Sequence, residues 1–118
     1  MASDTYPEPY EKLSESSRAL HRAIRSLMEE LEAVDWYNQR ADVTKDPELR
    51  SVLEHNRDEE IEHASMLLEW LRRQLPRLDH ELKSYLWSDG PITEAEARAT
   101  GKATDKPAKK DKKRKKGK

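Results

Sequence analysis

From Leu20 to Val34 the apolar residues Leu20, Ile24, Leu27, Met28, Leu31 and Val34 recur at i, i+4, i+7, i+8, i+11 and i+14. That spacing follows the period of an amphipathic helix and predicts one from Ser14 to about residue 41. Ser14 is the expected N-cap, with Ser17 rather than Glu three residues on, so the capping box is incomplete. "TKDPEL" restarts the chain, with Asp46 as N-cap, Pro47 at the first helical position and Glu48 on the positive end of the helix dipole. Leu49, Val52, Leu53, Leu67, Trp70 and Leu71 then mark one face of a second helix that runs to Pro76. Each helix should hold about 28 residues, or roughly 42 Å of length. Two equal helices joined by a short link form an antiparallel hairpin. "DHELKSYLW" at 79–87 predicts a short C-terminal helix that Gly90-Pro91 ends, and "ITEAEARAT" reads as nascent helix. No strand pattern and no internal repeat is present, so the fold class is all-α.

The expected boundaries are a flexible lead over residues 1–12, a helical hairpin domain over 13–92 and a disordered Lys-rich tail over 93–118. Apolar residues make up 34% of the 118-residue chain and charged ones 40%, which leaves little for a private core. Two helices cannot enclose a core and four can. The simplest completion is a second copy, giving a four-helix bundle across a homodimer.

Composition narrows the function classes. With no cysteine, disulfides, thiolate metal sites and cysteine nucleophiles are excluded. No apolar run approaches the roughly 18 residues of a membrane span. "MASDTYPEPYEK" lacks the basic-then-apolar order of a signal peptide, so the default address is cytoplasmic. The net charge of −1 conceals two opposite parts: residues 101–118 carry ten Lys/Arg and two Asp, and the acidic body carries the balance.

The second helix carries the candidate chemistry. Its apolar face, continued through "HNRDEEIEH", runs over Asn56, Glu60 and His63. Glu60 and His63 stand at i, i+3, about 60° apart around the axis, so both reach one point. A carboxylate buried without a partner costs several kcal/mol, roughly, and a divalent cation reverses that balance by binding carboxylate and neutral imidazole directly. Spacing alone leaves a second reading open, a buried polar pair satisfied by Arg57 or by a partner helix. Counted back from the link near residue 44, Glu30 on the first helix lies level with about residue 58, so Glu30, Glu60 and His63 can converge. Glu-x-x-His is the repeating unit of carboxylate-bridged di-metal bundles, which take two such units plus one Glu from each of two further helices. One hairpin supplies half of that set and a dimer supplies all of it. On the opposite side of the first helix, Glu29, Glu32 and Trp36 stand at i, i+3 and i+7, where the carboxylates could hold a hard cation more loosely.

"HRAIRSLMEELEAVDWYNQRAD" followed by "HNRDEEIEHASMLLEWLRR" closely resembles the encapsulated ferritin family, over roughly residues 18–92. The resemblance implies a helical hairpin with a short C-terminal helix, two chains completing a ferritin-like four-helix unit, and a di-iron ferroxidase centre between them, two iron ions per dimer. It implies that dimers assemble into an open ring, usually a decamer. The ring would oxidise Fe(II) with dioxygen for iron mineralisation and storage inside an encapsulin nanocompartment. By position, Glu30, Glu60 and His63 would be the catalytic iron ligands, Tyr37 would lie close to the centre, and Glu29 and Glu32 with Trp36 beside them would form the outer site, often filled by calcium. Shell-bound members usually carry a short docking peptide rich in Gly, Ser, Leu and Ile or Arg. This sequence shows instead "KKDKKRKKGK", which gives an alternative reading: a Lys-rich segment that grips nucleic acid through salt-sensitive phosphate contacts.

Overall fold

The computed structural model describes residues 6–101, and these hold helices and turns without a strand. A 3-10 turn at Tyr10–Lys12 is followed by α1, Glu15–Val43, α2, Pro47–Gln74, α3, Pro76–Tyr85, and α4, Ile92–Thr100. The chain divides into two compact units, one up to Leu75 and one from Pro76.

In the first unit α1 starts as its cap dictates. Ser14 is extended at φ −71° and ψ 164°, and its side chain accepts the Ser17 N–H at 3.1 Å. The helix ends at Thr44, whose N–H reaches the Ala41 carbonyl and whose Oγ1 donates to the Arg40 carbonyl at 2.6 Å. Only Thr44, Lys45 and Asp46 separate the two helices, so α2 must turn straight back along α1. Asp46 sits at the N-cap with Pro47 following, although its side chain makes no capping hydrogen bond. The Arg50 N–H takes the Asp46 carbonyl at 2.9 Å. Leu75 then turns extended, at φ −118° and ψ 100°, because the ring of Pro76 disfavours the helical conformation of the residue before it. The second helix therefore stops at Gln74, and Pro76 opens α3 three residues earlier than the sequence suggested.

The core of the hairpin is small. Among the described residues of this unit only Ala23, Ala41, Ala64 and Leu71 are buried. The small side chains of Ala23, Ala41 and Ala64 let the two helices come close. The larger apolar residues of the expected core face stay in view of solvent: Ile24 is 43% exposed, Met28 40%, Leu31 54% and Trp70 39%. A single hairpin leaves this stripe unfinished, as the composition led one to expect.

Two sequence-derived boundaries need correction. Residues 6–12 do not lie loose. Tyr6 stacks on His21 with centroids 4.2 Å apart and meets Tyr10 edge-on at 5.2 Å. Arg18 covers the Tyr10 ring at 4.0 Å and donates to the Tyr10 carbonyl at 2.7 Å. Three aromatic and cationic partners outweigh the disordering effect of Pro7 and Pro9. Residues 93–100, assigned above to the tail, form most of α4. Pro91 is its N-cap, Ala95 is buried and Gly101 closes it in the left-handed conformation at φ 80°. The rest of the expected tail lies outside the described residues. In the α3–α4 unit Trp87 also takes a positive φ of 60° and is 91% exposed. Among the described residues no helix is long and apolar enough to cross a membrane.

Candidate metal centre

Glu30 projects from the middle of α1, and Glu60 and His63 project from successive turns of α2. The antiparallel fold puts them level. Their ligand atoms all lie within 4.8 Å of one another, and among the described residues this is the one such group of three or more acidic or histidine side chains. His63 Nδ1 is 3.2 Å from Glu60 Oε1 and 3.5 Å from Glu30 Oε1. The Glu30 and Glu60 side chains keep 26% and 24% of their surface, and His63 keeps 43%. The group is thus half-sunk and open on one side.

Its protonation reflects crowding of like charges. A hydrogen bond to Glu60, partial burial and the Glu60 charge hold Glu30 above the usual carboxylate value. Glu60 is held below that value, first by the same hydrogen bond to Glu30 and further by His63. The two carboxyls lie side by side, so ionising one opposes ionising the other. The hydrogen bond to Glu60 and the charges of both carboxylates raise His63 above its ordinary value. The donor set of two oxygen ligands and one imidazole suits a divalent first-row metal. The competing reading, in which Arg57 satisfies the pair, fails: Arg57 donates to Asn38 Oδ1 at 3.0 Å and to Asp58 Oδ1 at 3.1 Å.

Glu29 and Glu32 are not among the ligand groups of this cluster. Tyr37, seven residues beyond Glu30, is half-buried, and the Arg40 guanidinium lies 5.4 Å from its ring. Glu29 is exposed and pairs with Arg25 at 3.5 Å. Glu32 is half-buried, and Trp36 is half-exposed with Arg40 6.0 Å from its ring. Trp36, Gln39 and Arg40 line a shallow hollow of about 310 Å³. Sequence reasoning missed Arg25, although its i, i+4 spacing to Glu29 was the signal that could have found it.

A model of the EncFtn-like family matches residues 5–89. The chain belongs to that family, the encapsulated ferritins. A ferritin-like protein of Thermotoga maritima is 55% identical over 98 residues, covering 83% of this chain and 86% of the relative. An encapsulated ferritin-like protein of Rhodospirillum rubrum is 56% identical over 99 residues, covering 84% of this chain and 71% of the relative. The crystal structure of protein NE0167 from Nitrosomonas europaea superposes with a TM-score of 0.72 at 61% identity, covering 74% of this chain and 96% of that one. Membership of the EncFtn-like family ties the chain to iron-related, ferritin-like function, and the Glu30, Glu60 and His63 group lies inside the matched residues.

Proposed function

We propose that the protein is a ferroxidase that oxidises Fe(II) to Fe(III) with dioxygen at a di-iron centre built between two copies of the chain. The observation that carries this reading is the convergence of Glu30, Glu60 and His63 within 4.8 Å. One hairpin offers two carboxylates and one imidazole. Two hairpins related by a two-fold axis offer four carboxylates and two imidazoles, enough for two Fe(II) ions. The exposed stripe of Ile24, Met28 and Leu31 gives the second hairpin an apolar surface to cover.

The reaction takes one electron from each of two Fe(II) ions to one dioxygen, which leaves with two protons as hydrogen peroxide. The chain's own residues set the conditions. Binding of Fe(II) substrate displaces any proton that the Glu30 and Glu60 carboxyls or the His63 ring hold. Hard carboxylate oxygens favour the ferric over the ferrous ion, which assists oxidation. Tyr37 is proposed to border the centre. Glu29 and Glu32, beside Trp36, are proposed as a looser outer site for a hard cation such as calcium. We further propose that dimers form a ring, a decamer by the resemblance, housed in an encapsulin nanocompartment in the cytoplasm. Similarity to the encapsulated ferritin-like protein of Rhodospirillum rubrum supports the shell.

The test is stopped-flow absorbance in the near ultraviolet after mixing Fe(II) with the aerobic protein. The wild type should show a rapid ferric rise. Glu60→Ala and His63→Ala should each slow it by about a hundredfold or more, since loss of even outer supporting partners of metal ligands costs about 10–100-fold. Unchanged rates in both variants would end the proposal.

A further inference from the structure

The turn between α3 and α4 puts its largest side chain in two costly places at once. Trp87 follows the end of α3 with φ at 60°, where the Ser88 N–H returns to the Tyr85 carbonyl at 3.2 Å. Helices commonly close through such a left-handed residue, and glycine is the usual one because it has no Cβ to crowd. A bulky residue at positive φ is an outlier that points to a use. The Trp87 indole is also 91% exposed, and Leu86 and Ile92 at the two ends of the turn are 44% and 70% exposed. Folding of the single chain offsets neither cost. Tryptophan is enriched among the few anchors that dominate protein–protein contacts.

A counterpart lies on α1. Trp36, Gln39 and Arg40 line the shallow hollow of about 310 Å³. That is near the lower limit of ligand-sized sites, about 300–1,000 Å³, and suits one large side chain. Arg40 is exposed, 6.0 Å from the Trp36 ring and 5.4 Å from the Tyr37 ring, and among the described residues no carboxylate pairs with it. A further indole against its guanidinium would extend that cation–π arrangement. Gln39 donates its amide N–H to Asp35 Oδ1 at 3.0 Å, which leaves its carbonyl oxygen to accept an indole N–H. Asp89, two residues past Trp87, is exposed and has no cationic partner among the described residues. The tip thus carries the anion that Arg40 lacks.

The tip cannot serve its own hollow. Across the link, the hollow stands level with about residue 52, roughly 33 Å along α2 from Gln74 at about 1.5 Å per residue. From Gln74 the chain reaches Trp87 through Leu75, a helix of 10 residues and two residues more, which span roughly 25 Å even if laid in one line. The occupant must come from a second copy. We infer that Trp87 of one chain inserts between Trp36 and Arg40 of another, with Asp89 meeting Arg40. The contact is heterologous: tip meets hollow, not tip meets tip. Two chains joined at the metal centre would carry two tips and two hollows, so the pair could engage a neighbour on either side, as a closed ring requires. The inference rests on the ring proposed above and names the contact that links one pair to the next.

The experiment is light-scattering mass of the full chain over a concentration series, with Fe(II) oxidation measured in parallel. Wild type should form species larger than two chains. Trp87→Gly should keep its helical circular dichroism, since glycine suits φ 60°, and its rapid Fe(II) oxidation. It should need about thirtyfold more protein to grow past two chains, the factor carried by a strong anchor. Arg40→Glu should raise that concentration about tenfold by setting two anions together, and Arg40→Glu with Asp89→Arg should recover most of the loss. Wild type that stays at two chains would sink the ring and the inference with it. A ring that persists unchanged in Trp87→Gly, or a double variant no better than Arg40→Glu, would overturn the inference alone. Absence of rapid oxidation in wild type would overturn the ferroxidase reading and leave the mass comparison standing.

Discussion

Glu29 and Glu30 are neighbours in the chain and differ in what faces them. Glu30 looks across to α2, where Glu60 and His63 meet it within 4.8 Å. Glu29 looks outward, and its partner is Arg25 on its own helix. The first carboxylate is held above its ordinary value, first through its hydrogen bond to Glu60. The second has a permanent cation already in place. A carboxylate becomes a metal ligand in waiting when a second element brings another anion to it; a helix acting alone tends to supply a salt bridge instead.

The sharpest way to break this comparison is to treat the two sides alike. Glu60→Ala should abolish rapid Fe(II) oxidation, as set out above, while the same truncation at Glu29 should leave most of the rate. A similar loss at both positions would mean that the facing helix is not what matters. The next largest effect should come from the apolar stripe. Met28→Asp puts a charge on a residue 40% exposed in the single hairpin, without touching a ligand. If two hairpins complete the centre, this change should shift light-scattering mass toward single chains and reduce oxidation at least tenfold, with helical circular dichroism retained. Full activity in a monodisperse single chain would refute the shared site.

A smaller effect, in pH, separates the two sides by sign. His63 is raised above its ordinary value of 6.5 by Glu60 and Glu30, so in the metal-free protein it adds stability that is complete below 6.5 and fades as pH rises through its higher folded value. Metal needs the neutral ring, so the bound protein should gain stability over the same rise. Thermal unfolding followed from about pH 6 to pH 8 should therefore move in opposite directions with and without Zn(II), a redox-silent competitor for the same ligands. In His63→Ala both trends should flatten. Parallel trends in the wild type would show that His63 does not exchange its proton for metal.

How much of this could be read from the sequence follows from the range of the forces involved. The helix starts were legible because Ser14 and the Asp46-Pro47 pair act locally. The Glu30, Glu60 and His63 convergence was legible because a three-residue link fixes the register of two straight helices. The docking of Tyr6 and Tyr10 was not, since stacking on His21 and Arg18 joins residues whose separations follow no helical period. The α4 helix was underestimated because it is short and its burial rests on one small residue, Ala95. Trp70 was read on the core face and is 39% exposed in the single chain, because two helices alone leave that face partly uncovered.

The smallest expected effect tests the outer side itself. Glu29 must leave Arg25 before it can take a cation, and Trp36 offers no anionic ligand. Glu29→Ala with Glu32→Ala should therefore lower the initial oxidation rate only about two- to fivefold at low salt, by removing local attraction for Fe(II). That deficit should shrink as ionic strength rises past about 0.15 M, where screening reaches within about 8 Å. The loss in Glu60→Ala should not shrink, because missing ligands cannot be screened. If the outer double variant loses activity to the same degree at every salt concentration, its carboxylates act by direct coordination, and the division between a facing pair and a solitary helix face fails.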